Sequence, residues 1–500
     1  VAKKGEKRLS RRILAANIAF LHLFVLIYAA KMENKTENNL QQNIEHKNLA
    51  ASLFRYFSLI LYLALGGSFY VYLASAQVPR AAFSEWLLFW LILWVWAAIG
   101  WLAVLKYRYW PWAWIAVGAV FWRLAWGNSL PILSDDFWRF LIDGRLWAAG
   151  VNPFLYTPEQ LISAPIAATT NLNLEELYTG CNSKNYYSVY PLFSQIWFRA
   201  AATVGQGDLH LEVFALRAML FIADAFAILG LSRLLRQIGQ PPAYALFYAL
   251  APFTIIEGAG NLHFETAQLA FLIWSLLAYM QQKYNRAALL FAAAAACKLL
   301  PLLILPILVF RLPTWRARFQ FSAIVGVLIP LSFAPFLSLE VVQNIGQSLH
   351  LYVGVFEFNA SIYYILRAFG FWLYDMNMIA TWGKFLSIFV LAAVLFVAIF
   401  RQSWTVFEQA LAAFALYFAC ATTVHPWYIG NILLLSLLTR FRFLGLTWAF
   451  LSFFSYHAYS GDGEKIVFLL AEYGLLLLAA LLCFLRSKTV KSEDDTSTKS

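Results

Sequence analysis

The stretch Ser134-Asp135-Asp136-Phe137-Trp138-Arg139-Phe140-Leu141-Ile142-Asp143-Gly144-Arg145 sets three carboxylates and two guanidiniums directly behind an apolar run long enough to span a bilayer. The chain around it is 62% hydrophobic and only 13% charged. Charges are costly in hydrocarbon, so a cluster of them at the end of a span marks a functional boundary. On a helix Asp136, Arg139 and Asp143 share one face, and Phe137, Leu141 and Ala148 share another. The pattern predicts an interfacial helix, apolar side toward lipid, carrying an acid–base–acid row above it.

Over 500 residues the mean hydropathy is +0.65 and aromatics make up 18%. That excludes an ordinary soluble domain. Successive apolar runs of about 20 residues predict an all-α polytopic membrane protein with about twelve crossings. They fall near 56–76, 86–105, 111–130, 211–232, 243–258, 266–282, 319–337, 379–400, 404–421, 427–439, 443–457 and 466–485. Twenty tryptophans and 25 tyrosines suit the belts at both interfaces. The net charge of +11 is dispersed in short clusters between apolar runs, so no nucleic-acid surface is expected. With Arg55 taken as cytoplasmic, the clusters at Lys106/Arg108, Arg233/Arg236, Lys283/Arg286, Arg311/Arg316/Arg318, Arg401, Arg440/Arg442 and Arg486/Lys488/Lys491 all fall on that side. Cys297, Cys420 and Cys483 lie within apolar runs, and CxxC and HExxH spacings are absent, so neither a disulfide framework nor a metal site is expected.

Three segments resist simple crossing. Residues 186–204 would invert the charge pattern as a span and are expected to form a helix along the outer interface. Residues 287–310 carry Lys298 and Pro301 at their middle, each half being only about 18 Å long. A hairpin turning near Lys298 or a pair of short, thinned crossings both fit. Residues 361–374, with Arg367, are expected to form a short outer helix. Residues 13–30 resemble a signal peptide or an extra anchor, and Met32 is an alternative start. The expected organisation is 1–52 as a cytoplasmic tail or signal-like segment, 53–486 as one transmembrane catalytic domain with its first outer loop at 131–204, and 487–500 as a polar cytoplasmic tail.

The same threading gathers four polar segments on the face opposite the basic turns: Asp135/Asp136, Asn261-Leu262-His263-Phe264-Glu265, the loop 338–360, and Val424-His425-Pro426-Trp427-Tyr428. Convergence of carboxylates, histidines and aromatics at one mouth of a helical bundle predicts a catalytic cavity half in lipid. Each residue also has a structural reading. Ser134 or Asp135 suits a helix N-cap, and His263, Glu265 and His425 suit the polar ends of spans. Lys298, at the middle of an apolar run, requires a partner, and a phosphate would serve.

The string SDDFWRFLIDGRLWAAGVNPF (134–154) resembles the first-loop signature of GT-C glycosyltransferases, polytopic enzymes that use polyprenyl-phosphate sugars, and is most like the bacterial polyprenyl-phosphate-mannose-dependent mannosyltransferases. YPLFSQIWF (190–198), GNLHFETAQLAF (260–271), KLLPLLILP (298–306) and VHPWY (424–428) follow in that family's order, so the likeness covers roughly 110–440. The chain departs from the usual pattern at Tyr190-Pro191-Leu192, where the family doubles the proline, and at Asn261-Leu262-His263, where it begins with glycine-histidine. The resemblance implies a GT-C-like bundle with interfacial and re-entrant helices. It implies an acidic first-loop base, Asp135 or Asp136, and neither a metal nor a nucleotide-sugar site. The expected reaction moves a hexose, with mannose the leading candidate, from a polyprenyl phosphate in the membrane to a lipid-linked or glycan acceptor on the extracytoplasmic face of a bacterial inner membrane. The carboxylate takes the acceptor's proton. Arg139, Asp143, Arg145, His263, Glu265, Lys298, Arg367, His425 and Tyr428 are the candidates for binding donor phosphate or substrate, and no cofactor beyond the lipid-linked donor is expected. A transporter or flippase of lipid-linked saccharides is the alternative, but it should carry paired repeats and broken helices at mid-membrane. A ligase or polymerase should carry a large outer loop rich in Arg and His.

Overall fold

The computed structural model describes residues 40–163, 172, 174–461 and 463–497. The signal-like run at 13–30 and the alternative start at Met32 lie outside the described residues. The chain divides into two units, Val1–Ser58 and Leu59–Ser500. Among the described residues every regular element is helical, with one isolated bridge between Phe358 and Thr423.

The helices run in order as α1 (Leu40–Ala76), α2 (Phe83–Trp101), α3 (Trp112–Trp122), α4 (Asp136–Ala148), α5 (Leu192–Gly205), α6 (Leu209–Gln237), α7 (Glu265–Met280), α8 (Tyr284–Cys297), α9 (Leu305–Phe310) and α10 (Trp315–Leu331). They continue as α11 (Leu339–Gly354), α12 (Ile362–Tyr374), α13 (Ile379–Phe400), α14 (Val406–Cys420), α15 (Gly430–Leu437), α16 (Arg442–Leu451) and α17 (Ile466–Ser497), with short turns of helix between. Large apolar side chains such as Val71, Leu88, Val95, Ile388, Leu391 and Leu477 are exposed along the long helices. On an isolated soluble domain such faces would aggregate; here they face lipid. The protein is an integral, multi-pass membrane protein.

The expected dozen crossings shrink to six helices long and apolar enough to span among the described residues, or seven counting one bent pair. Apolar content and helix continuity are separate properties. Pro111, Pro252, Pro301 and Pro426 each open a new short element, because proline lacks the N–H that would carry the helix on. The run at 111–130 therefore becomes α3 plus one tight turn at Arg123–Trp126, and 243–258 becomes two short pieces bent by 60°. Broken backbone at such depth persists only where protein surrounds it. Two buried arginines do that here. Arg123 pairs with Asp224 of α6 and donates to Ala249 O at 2.9 Å and Thr254 Oγ1 at 3.1 Å. Arg217 of α6 donates to Ala259 O and Gly127 O, both at 2.6 Å, and to Ser129 O at 2.9 Å.

Two further expectations are corrected. The segment 338–360 is mostly helix α11, capped by Ser338 Oγ on Val341 N at 3.2 Å, rather than loop. The apolar side of α4 does not face lipid: Phe137 and every residue from Arg139 to Leu146 are buried in protein, and α5 is clamped between α4, α6 and α8. Residues 284–310 travel out and back. Ser275 Oγ bonds Ala287 O near the start of α8, Lys298 at the apex meets Glu265 at the start of α7, and Leu308 O accepts from Tyr279 near the end of α7. The extended backbone of Lys298 (φ −148°, ψ 137°) makes the turn.

The α4–α5 crossing is a close backbone approach within the domain's core. A methyl group added to Gly144 would lie 2.3 Å from the carbonyl oxygen of Phe198. Phe140, Phe198, Phe264 and Tyr190 close around this crossing, with Phe140 and Phe198 stacked at 4.7 Å and Phe264 edge-on to Phe198 at 4.8 Å. Gly144→Ala is therefore expected to destabilise by about 1–3 kcal/mol, since helix backbones must part to admit it. Gly326→Ala, where the added methyl meets nothing within 4 Å, should be neutral or stabilising by up to about 1 kcal/mol. Thermal unfolding of both variants in detergent checks the contrast, and equal effects would contradict the crossing geometry.

Candidate active site

Asp136 opens α4, but neither paired carboxylate is a helix cap. The Asp136 N–H goes to Ser134 Oγ at 3.3 Å, and Asp135 instead pairs with Arg80 at 2.9 Å, whose guanidinium lies 4.3 Å over the Tyr459 ring. The Asp136 side chain is left partly uncovered, 23% exposed. His263 Nδ1 stands 3.9 Å from Asp136 Oδ2, and its Nε2 stands 3.5 Å from Glu257 Oε2.

The chain delivers His263 through a strained turn. Leu262 sits at φ +62°, fully buried, a left-handed conformation that costs a non-glycine residue roughly 1–2 kcal/mol. The turn aims His263 toward Asp136 and Glu265 toward Lys298 while Phe264 anchors in the aromatic cluster. The His263 ring stacks on Trp427 at 3.8 Å, and Trp427 stacks on His425 at 4.5 Å with the planes 3° apart. His425 also stacks on Phe358 at 4.9 Å, which the Phe358–Thr423 bridge holds in place. Lys298 is paired with Glu265, its ammonium 5.3 Å over Tyr428 and 5.9 Å over Tyr190. The expected partner of Lys298 is thus supplied by the protein, with ammonium hydrogens to spare.

The electrostatics follow from this enclosure. Burial pushes the Asp136 carboxyl up to about 6, opposed by the Lys298 ammonium, reinforced by Glu265 and Asp135, and opposed again by the Tyr190 hydroxyl. Burial also drives the His425 imidazole down to about 3 and the His263 imidazole well below its usual range, with Lys298 adding to both. Both rings are neutral at pH 7, which leaves Lys298 as the cation that Asp136 and the two histidines sense. Both ring nitrogens of His263, Nδ1 of His425 and Oε2 of Glu265 are buried without a hydrogen-bond partner. Each such atom costs roughly 1–3 kcal/mol, and four of them are gathered beside Asp136 and Lys298. Among the described residues no group of three or more His, Cys, Asp or Glu side chains is arranged to hold a metal ion.

The structure therefore brings together Asp136, His263, Glu265, Lys298, His425 and Tyr428. It gives Arg139, Asp143, Arg145 and Arg367 other employment. Arg139 pairs with Asp143 at 2.8 Å, and Asp143 accepts from Ser188 and, at 2.9 Å, from Gln195 of α5. The acid–base row of α4 points inward because the strand-like 186–190 segment and α5 cover it. Arg145 pairs with the buried Glu212 of α6 at 2.9 Å and bonds Leu172 O and Gly207 O. Arg367 pairs with Glu357 at 3.2 Å on the exposed α12. Glu257, held by Asn261 at 3.0 Å and Tyr456 at 2.9 Å, was missed in the sequence. A carboxylate inside the apolar run 243–258 was the signal for it. Trp427 is the plate between two imidazoles.

Against known proteins, residues 66–314 match the family model described as alpha-(1->6)-mannopyranosyltransferase, N-terminal domain, of the MptA/B family. Residues 66–314 are similar to a mannosyltransferase domain. The match covers a little under half of the 500 residues and includes Asp136, Tyr190, Glu257, His263, Glu265 and Lys298, but not His425, Trp427 or Tyr428. It supports a GT-C-like fold and a glycosyltransferase activity in general terms. No curated protein matches the chain.

Arg145→Met is expected to cost about 3–5 kcal/mol, because it strands the Glu212 carboxylate without its counter-charge. Arg367→Gln, which breaks a half-exposed pair, should cost no more than about 1 kcal/mol. Comparable unfolding temperatures for the two variants would contradict the bracing role of Arg145.

Proposed function

We propose that this protein transfers a hexose, with mannose the leading candidate, from a polyprenyl phosphate to a lipid-linked or glycan acceptor at the extracytoplasmic face of a bacterial inner membrane. The observation that carries the reading is one cluster that holds a carboxylate with raised proton affinity, an ammonium and two neutral, stacked imidazoles. The likeness of residues 66–314 to a mannosyltransferase domain supports the choice of sugar.

In the proposed reaction the acceptor hydroxyl lies against Asp136. As its oxygen attacks the anomeric carbon, the carboxylate takes the proton, and the carbon–oxygen bond to phosphate breaks with its electron pair leaving on the phosphate. Lys298, oriented by Glu265, meets that growing charge. One displacement inverts the anomeric centre. A base whose proton affinity lies near the working pH accepts and releases its proton most efficiently. The neutral state of His263 and His425 suits donation of hydrogen bonds to sugar hydroxyls, and the Tyr190 and Tyr428 rings offer apolar faces to the sugar. Asp135, committed to Arg80, holds the start of α4 instead of reacting.

Asp136→Asn is expected to lower turnover on polyprenyl-phosphate mannose by roughly 10²–10⁴-fold, while Asp135→Asn keeps most of it. Full activity of Asp136→Asn in a reconstituted assay would sink the proposal. Because the unprotonated carboxylate is the active form, kcat/KM should fall as pH drops through about 6. Lys298→Ala should move this acid limb to higher pH, since Lys298 holds the Asp136 value down, and should raise the KM for donor. An unmoved limb, measured in the same assay, would contradict the pairing of these two residues.

A further inference from the structure

The ends of α6, α7 and α8 remote from Asp136 enclose a second polar feature. A cavity of about 500 Å³ opens there, lined by Arg233, Arg236, Gln237, Gln281 and Arg286 around Trp274. Glu265 and Gln281 bracket the 16 residues of α7, so the cavity lies about 24 Å along the helix from the Asp136 cluster. None of the residues lining it is acidic, and among the described residues no carboxylate lies within ion-pair distance of the three arginines. Trp274 makes a fixed floor: its Nε1 donates to Phe226 O at 3.0 Å, and its ring stacks on Phe226 at 4.5 Å and lies 5.2 Å under the Arg233 guanidinium. Gly230 leaves room for it, since a methyl there would meet Trp274 Nε1 at 2.6 Å.

The surface leading to the cavity is apolar and exposed. Ile222, Phe226 and Leu229 face outward along α6 at spacings of four and three, and the same face continues into Arg233. On α8 the exposed Leu289 likewise follows Arg286 by one turn. A greasy track ending in three unpaired guanidiniums matches an amphiphile laid along the helix with its anionic end inward. Free phosphate would use the arginines but not the track.

We infer that this cavity binds the phosphate-bearing headgroup of an anionic membrane phospholipid, with an acyl chain along Ile222, Phe226 and Leu229. Guanidiniums pair bidentately with phosphate oxygens, and basic pockets between spanning helices are suited to anionic headgroups. The site is separate from the proposed transfer chemistry and stands whether or not that chemistry is correct.

The test is native mass spectrometry of the full-length protein in detergent. It is titrated with phosphatidylglycerol, with phosphatidylcholine of the same acyl chains, and with inorganic phosphate. Phosphatidylglycerol should be retained at least about fivefold more than phosphatidylcholine, and inorganic phosphate at equal concentration should not displace it. The triple variant R233Q/R236Q/R286Q should lose the excess, and the control K106Q/R108Q/R316Q, which removes as much charge elsewhere, should keep it. Equal retention of the two lipids, displacement by phosphate at equal concentration, or the same loss in the control would each overturn the site. Should the triple variant misfold, the wild-type titrations decide alone.

Discussion

A charge carried into a membrane protein must be met by an opposite charge or by hydrogen bonds, and this bundle is organised by that requirement. Arg123 with Asp224, Arg139 with Asp143 and Arg145 with Glu212 are all buried pairs; the first and third tie elements far apart in sequence, and the second, within α4, is tied to α5 through Gln195. Removing one partner from such a pair is far more costly than never having had the pair. The positions of α4, α5 and α6 are therefore tightly coupled. Asp136 inherits its place from them: it begins the helix whose middle is fixed by Asp143 and Gly144 and whose end is fixed by Arg145.

Within that frame the cluster is assembled from groups that the frame does not need. His263, His425 and the second oxygen of Glu265 keep unused hydrogen-bonding capacity, whereas Arg139, Arg145 and Asp143 have spent most of theirs. The division is physical. The bracing groups are held by charged partners or carbonyls on other elements, and the proposed transfer site draws on the groups left over. The Trp427 ring, flat between His263 and His425, holds both imidazoles parallel without using their nitrogens, so orientation and reactivity are supplied by different atoms.

Much of this was legible in the residues. The membrane class followed from hydropathy, and the gathering of Asp136, His263, Glu265 and His425 followed from threading the basic turns to one side, while the pairing of Lys298 with Glu265 did not. Two things were not legible. Counting apolar residues could not separate a span from two short helices joined at a proline, because both bury the same surface; the runs at 111–130 and 243–258 show the difference. Nor could spacing on α4 say which side of the helix would be covered. The acid–base row looked like a surface offered to substrate because nothing local reveals that Ser188 and Gln195, some fifty residues on, fold over it. Glu257 was overlooked for the opposite reason, a lone carboxylate being easily absorbed into an apolar window.

Arg217 places a condition on how the molecule comes together. Its guanidinium has carbonyl oxygens for company, drawn from the ends of two unrelated helical breaks at Gly127–Ser129 and Ala259–Gly260. Before those breaks arrive, α6 carries a bare cation into the bilayer; before α6 arrives, the breaks expose naked carbonyls to lipid. Neither piece is satisfied alone, so the kinked segment and α6 depend on one another for their buried hydrogen bonds.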